Sequence, residues 1–261
     1  MIAINLAIVR GLVNSLSLMF VITFLMSLTK PFRKTMYGDT PRLISKLLLA
    51  VVFGSIGILG TYYGFPVDGA IANSRAVPIV AAGLIAGPIA GIGAGIIAGA
   101  HRYAIDIGGF TAFACMISTI VEGVIGASAH KLFVRTGKRW FVGFWATVIA
   151  EVMQMSIILW IARPYDLAWA LVEKIGAPMI IVNAVGVALF VLLYETIYKD
   201  REREAAVQSQ LALRIAEKTL PILRQGFTQD TALETCKIIL AEAEVDAVAM
   251  ASCKEILAHV G

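Results

Sequence analysis

Six predominantly apolar runs, each about as long as a bilayer crossing or longer, constrain this chain more than any other feature of its sequence. They extend from Ile2 to Leu28, Leu43 to Phe65, Ile71 to Ala100, Thr111 to Phe133, Trp140 to Ala162 and Ala177 to Tyr198. A helix needs roughly 20 apolar residues to cross the hydrocarbon, and backbone polar groups there must be satisfied internally. The expected fold class is an all-α polytopic membrane protein, a bundle of six to seven membrane segments. Charged residues make up 15% of the chain and the mean hydropathy is +0.82, against about 25% charge in an ordinary soluble domain. Three cysteines in 261 residues are too few for a disulfide scaffold. The net charge of +4 comes from basic residues bunched between apolar runs, which is a signal of membrane topology. No nucleic-acid partner is expected; the partner surface is the lipid bilayer. The first run is too long for a cleaved signal and lacks a basic leader, so it is expected to be a retained helix.

Short loops rich in Lys and Arg stay in the cytoplasm. One such loop carries Lys30, Arg33, Lys34, Arg42 and Lys46, another carries Lys131, Arg135, Lys138 and Arg139, and Lys199 to Arg203 open the polar tail. With all three inside, the N-terminus is expected outside, the C-terminus inside, and the run from Ile71 to Ala100 must cross an even number of times. A single helix from Arg75 to Arg102 would be about 42 Å long and would cross once, so it is rejected. Gly87-Pro88 supplies the break, because proline lacks an N–H and clashes with the carbonyl of Leu84 four residues back. The expectation is a helical hairpin, either re-entrant or two complete spans. The segments of a transmembrane domain, 1–198, are then 2–28, 43–65, 71–87, 88–103, 111–133, 140–162 and 177–198. Glycines at 83, 87, 91, 95 and 99 recur every fourth residue, a stripe of small residues that lets helices approach closely. Gly87, Pro88 and Gly91 are expected to serve structure and coupling.

A hairpin returns both its ends to one side, and each end carries an arginine, Arg75 in Asn73-Ser74-Arg75 and Arg102 in His101-Arg102-Tyr103. Two converging guanidiniums near a membrane boundary call for an anion, and their planar forks match a carboxylate. The competing arrangement pairs Arg75 with Asp68 and Arg102 with Asp106, or sends both side chains to lipid head groups. On the next helix Thr111, Cys115, Ser118 and Glu122 fall at steps of four, three and four, so they share one face. That face is expected inside the bundle, with Cys115 and Ser118 below the arginines. Glu122 lies deeper and is expected to be structural, hydrogen-bonded between helices in its protonated state or partnered by His101 or an arginine. Arg10, Asn14, Glu151, Gln154 and Asn183 are expected to satisfy one another, with Arg10 and Glu151 as a possible buried ion pair. No zinc spacing, P-loop, Rossmann fingerprint or serine elbow is present. No catalytic residue, metal or cofactor is expected.

The stretch NSRAVPIVAAGLIAGPIAGIGAGIIAGAHRY, followed by GGFTAFACMISTIVEG, resembles the membrane sensor domain of LytS-type bacterial sensor histidine kinases, the five-transmembrane receptor family. The resemblance covers roughly residues 30 to 200. The core AGLIAGPIAGIGAGIIAG is also similar, more distantly, to the substrate-binding subunits of vitamin transporters, which leaves a small-solute transporter as the alternative function. The family resemblance implies a multi-pass protein of the bacterial inner membrane that senses a small extracellular carboxylate, pyruvate-like in some members. It also implies a homodimer and, through a kinase domain, a response regulator as partner. The ligand positions it implies are Arg75, Arg102, Cys115 and Ser118, with Asn73, Ser74, His101 and Thr111 beside them.

The charged stretch 199–215 is expected to continue the last span as a signalling helix. AEKTLPILRQG and TQDTALETCKIILAEAEV are expected to be helices, the second capped by Thr228 or Asp230. DAVAMAS and KEILAHVG are expected to be strands. Residues 216–261 thus resemble the opening, incomplete, of the GAF domain that follows the sensor in LytS-type proteins, giving a short α/β cytoplasmic tail. No phosphoacceptor or ATP-binding box is present, so the chain is expected to be inactive as a kinase by itself, as a piece of a longer protein or a natural truncation.

Overall fold

A computed structural model describes residues 2–29, 32, 35, 42–243, 245–252 and 255–261, without the side chains of residues 2–5, 42 and 198–205. Lys30, Arg33 and Lys34 of the first basic loop, and the side chains of Lys199 to Arg203, lie outside the described residues. The chain divides into two compact units, Met1–Tyr194 and Glu195–Gly261.

The first unit is built on helices α1 (Ile2–Leu28), α2 (Arg42–Tyr62), α3 (Ala76–Ala86), α4 (Pro88–Ala104), α5 (Ala112–Arg135), α6 (Arg139–Ile161) and the start of α7 (Tyr165–Leu223). Among the described residues, five helices are long and apolar enough to cross a membrane: Leu6–Leu28, Leu43–Tyr62, Ala112–Arg135, Arg139–Ile161 and Tyr165–Ile197. The protein is therefore an all-α polytopic membrane protein, and α3 and α4 are the expected hairpin. Gly87 makes the break with φ 82°, a conformation that L residues with a side chain rarely adopt. Pro88 opens α4 at its first position, where its missing N–H costs nothing.

The glycine stripe packs backbone against backbone. A Cβ on Gly91 would lie 2.5 Å from the Cα of Gly83. One on Gly123 would lie 2.3 Å from the carbonyl oxygen of Gly91, and one on Gly126 would lie 2.5 Å from that of Val80. So α3, α4 and α5 meet with no side chains between them at these points.

Three boundaries differ from the sequence expectation. The second run ends as helix at Tyr62, and the chain then forms a small antiparallel pair, β1 (Phe65–Val67) with β2 (Ala70–Ala72), in register Phe65↔Ala72. Asp68 and Gly69 turn the hairpin with φ of 47° and 77°, the positive values a two-residue Asp-Gly turn requires. The first arm consequently starts at Ala76 rather than 71. The last span starts at Tyr165, twelve residues before the expected 177, and α7 runs unbroken to Leu223. AEKTLPILRQG is thus the end of that helix rather than a separate one; Pro221, which cannot donate to the ladder, stands two residues before its end.

In the second unit, α8 (Gln229–Glu242) is capped by Thr228 in a reciprocal box with Thr231. It packs Ala232 and Cys236 against the antiparallel pair β3 (Val248–Ala251) and β4 (Ile256–Val260) at Ala258. Glu242 forms an ion pair with Lys218 and lies 3.6 Å from Arg214.

Candidate ligand site

Arg75 stands at the N-terminus of α3, where the helix dipole adds to its positive charge. Its stem passes over α2 at Gly57 and Gly60, where a Cβ would lie 3.5 Å from its Cγ and 3.3 Å from its Cα. The side chain is 1% exposed. Its Nε donates to Thr119 Oγ1 at 2.8 Å, and Nη1 donates to Thr61 Oγ1 at 3.3 Å. Nη2 is buried without a hydrogen-bond partner. Among the described residues no carboxylate pairs with Arg75. The competing partner Asp68 is taken by Lys174 at 2.5 Å.

Arg102, in the last turn of α4, is wholly buried. Its Nη1 pairs with Asp106 Oδ2 at 2.9 Å, as the competing arrangement has it, and Nη2 donates to Thr111 Oγ1 at 3.5 Å. Its Nε has no partner. The two arginines thus rest on one face of α5, at Thr119 and at Thr111. Those residues are eight apart, about 12 Å along the helix, with Cys115 midway. Thr111, Cys115, Ser118 and Thr119 are all buried. The carbonyl of Cys115 accepts from Ser118 Oγ at 3.1 Å and from Thr119 Oγ1 at 2.7 Å.

The loop before α3 is fixed by its own polar groups. Asn73 Oδ1 accepts from the Arg75 backbone N–H at 3.1 Å, and its Nδ2 donates to the carbonyl of Ile71 at 3.0 Å. Ser74 Oγ donates to the carbonyl of Leu12 on α1 at 3.3 Å. These bonds employ Asn73 and Ser74 in placing Arg75. His101 Nε2 lies 3.2 Å from Tyr62 Oη, and its ring stacks edge-on with Tyr62.

Two polar expectations are corrected. Arg10 does not pair with Glu151: it is exposed, lining a cavity of about 550 Å³ with Leu6, Gly11, Asn14 and Phe65. Glu151 Oε1 instead accepts from Asn183 Nδ2 at 2.6 Å, because both are buried in the bundle where Arg10 is not. Glu122 is wholly buried, but among the described residues neither of its oxygens has a hydrogen-bond partner, so it is bonded to neither His101 nor an arginine of that set. Thr61 and Thr119 were not expected. Thr119 had a signal, standing four residues after Cys115 and three before Glu122 on the same stripe. Thr61 had none, since it reaches Arg75 only through the packing of α2.

The profile of the family described as "5TMR of 5TMR-LYT" matches residues 29–197. The chain belongs to this five-transmembrane receptor family. A similar protein is the "Sensor histidine kinase BtsS" of Escherichia coli K12, 40% identical over 255 residues, which cover 96% of this chain and 45% of that protein. The "Sensor histidine kinase YpdA" of the same strain is 34% identical over 94% of this chain and 43% of its own length. The "Sensor protein LytS" of Bacillus subtilis strain 168 is 32% identical over 96% of this chain and 45% of its own length. The chain therefore spans less than half the length of these curated relatives. No solved structure matches it. The matched residues 29–197 take in the Gly87-Pro88 hairpin and four of the five spans described above, and Leu6–Leu28 precedes them.

Proposed function

We propose that this chain is the input portion of a two-component sensor kinase of the bacterial inner membrane, and that it binds a small extracellular carboxylate of the 2-oxo acid type, pyruvate or a close analogue. The observation that carries this reading is Arg75, a guanidinium 1% exposed and, among the described residues, without an acidic partner and with Nη2 unbonded. A buried charge without compensation is strongly destabilising, so an anion from outside the chain is the natural completion of the site. In this reading the carboxylate takes the free donors of Arg75 and Arg102, and Cys115 and Ser118 on the α5 face meet its remaining oxygens. Asn73, Ser74, His101 and Thr111 form the surround.

The N-terminus faces outward and the C-terminus the cytoplasm, as the basic loops imply. The helix through 199–215 carries the signal toward residues 216–261, the start of a GAF domain. In the full-length protein, kinase domains beyond it act as a homodimer on a response regulator. The similarity to sensor kinases over 96% of the chain favours a receptor over the transporter alternative.

Calorimetric titration of the purified chain in lipid nanodiscs with pyruvate, lactate and acetate tests the reading. Charge-assisted hydrogen bonds contribute about 1.5 to 3 kcal/mol each, so Arg75→Ala and Arg102→Ala should each weaken binding at least tenfold. Ser118→Ala should cost roughly two- to tenfold. If both arginine variants bind every acid as the parent does, the reading is wrong.

A further inference from the structure

Among the described residues, Arg102 is the arginine of the site that carries an acidic partner, and the loop after α4 is shaped to supply it. Asp106 follows Arg102 by four residues, and its Oδ2 accepts from Arg102 Nη1 at 2.9 Å. The arginine side chain is wholly buried and that of Asp106 is 35% exposed, so the carboxylate has one side on the guanidinium and the other at the surface. The Asp106 carbonyl accepts from the Gly109 N–H at 2.9 Å. This closes a turn with Gly108 at φ 91° in its third place, where a type II turn needs a positive φ. The turn brings Gly109 against the carboxylate: a Cβ at 109 would lie 2.3 Å from Asp106 Oδ2 and 2.4 Å from Oδ1. A residue without a side chain at 109 is what leaves the carboxylate room beside Arg102.

The pairing divides the donors of the two arginines. Arg102 Nη1 is taken, whereas Arg102 Nε and Arg75 Nη2 are buried without partners. In the reading above, one ligand carboxylate takes both free donors. Nε and Nη1 are nitrogens of one planar guanidinium, so a carboxylate at Nε has the Asp106 carboxylate as a near neighbour. A second carboxylate on the same small ligand finds Nη1 already filled and like charge beside it. Like-charge juxtaposition of this kind rejects a wrong partner rather than tightening the hold on a right one.

We infer that Asp106 is a specificity-determining residue: it fills the second anion position on Arg102 with a carboxylate of the chain's own, so that the site accepts small monocarboxylates and rejects dicarboxylates. This rests on the reading that the two arginines bind a carboxylate.

Pyruvate and malonate, a monocarboxylate and a dicarboxylate of the same carbon number, are the probes, titrated calorimetrically into the whole chain in nanodiscs. The parent should bind pyruvate more tightly than malonate. Asp106→Asn keeps the size of the side chain and removes its charge, which opens Nη1 to a charge-assisted hydrogen bond from the ligand's second carboxylate. Such a bond carries about tenfold or more in affinity, and the ratio of malonate to pyruvate affinity should rise by that factor. Gly109→Ala leaves the acid in the chain but pushes its carboxylate off Arg102, so the ratio should rise in the same direction by a smaller factor. Structural damage alone would weaken both acids together and leave the ratio where it was, and either variant serves for the comparison if the other fails to fold. A parent that binds malonate as tightly as pyruvate, or a ratio unchanged in the variants, overturns the inference while pyruvate binding by the parent keeps the carboxylate site. If the parent binds neither acid, the site itself is refuted, and this inference with it.

Discussion

Thr119→Val is the sharpest probe of how Arg75 is held. The hydroxyl accepts from Arg75 Nε at 2.8 Å and donates to the carbonyl of Cys115 at 2.7 Å. Valine keeps the volume and the branching, so the loss is polar only. Arg75 would then keep one hydrogen bond, the 3.3 Å contact to Thr61, and would carry two unpaired buried donors in place of one. A hydrogen bond to a charged group contributes about 1.5 to 3 kcal/mol net, and that is the expected loss of stability. Affinity is affected by a different route. A side chain no longer fixed at Nε must be ordered by the ligand, which costs a long side chain up to roughly 1.5 to 2 kcal/mol. The expected weakening of pyruvate binding is therefore about 3- to 30-fold. Calorimetry in nanodiscs and thermal denaturation in detergent read the two effects, and Thr119→Ser should restore most of both. Parent-like affinity and stability in Thr119→Val would refute the claim that this hydroxyl positions the guanidinium.

Gly91→Leu should abolish the folded hairpin, since its Cβ would fall 2.5 Å from the Gly83 backbone; overpacking costs about 1 to 3 kcal/mol even where side chains yield, and size-exclusion profiles in detergent report the loss. Lys174→Ala breaks a pair that is about half exposed on both sides, so the melting temperature should move by no more than about 1 kcal/mol implies. Cysteines placed at Asp68 and Ile107 should label from the same, outer face of intact cells, and one at Gly137 only after permeabilisation; labelling of 68 and 107 from opposite faces would eliminate the hairpin. The hydrogen bond from Lys218 holds the Glu242 carboxyl below its usual range. Its stabilising contribution is then present above the ordinary value, about 4.3, and is lost as pH falls through the lowered one. Hydrogen exchange along 214–242 should speed up in that window in the parent and show no such step in Glu242→Gln.

Hydrophobic length made the spans legible, and proline chemistry located the hairpin, because both are local properties of the chain. What escaped was set by partners distant in sequence. Asp68 was a plausible mate for Arg75 until Lys174, 106 residues away, took it. The start of α7 was hidden because Asp166, Glu173 and Lys174 interrupt the apolar run. Helical spacing carries through that interruption: Ala168, Leu171, Ile175 and Met179 are 0 to 2% exposed at steps of three, four and four. Period was a better guide there than length. The short β1–β2 pair bridges the gap between two expected spans and takes in the end of one and the start of the next, and its Asp-Gly turn was the signal passed over. Of the site, the two arginines and the polar stripe on α5 were legible; the hydroxyl from α2 and the isolation of Glu122 depend on how helices face one another.

The seam at Gly83, Gly91, Gly123 and Gly126 has a mechanical consequence. Elsewhere in the bundle, interlocked side chains act as teeth that fix how far one helix can slide along the next. Along this seam the helices meet backbone to backbone, while beside it Val80 and Leu84 of α3 share a hydrophobic cluster with Ile125 and Ala129 of α5. At one end Arg75 is fastened to Thr119 at 2.8 Å. At the other, His130 on α5 holds the carbonyl of Leu84 at 2.7 Å, its ring 3.4 Å from where a Cβ on Gly87 would lie. The hairpin is therefore tied to α5 by polar contacts near both its base and its tip, on either side of a seam where no side chain separates the helices.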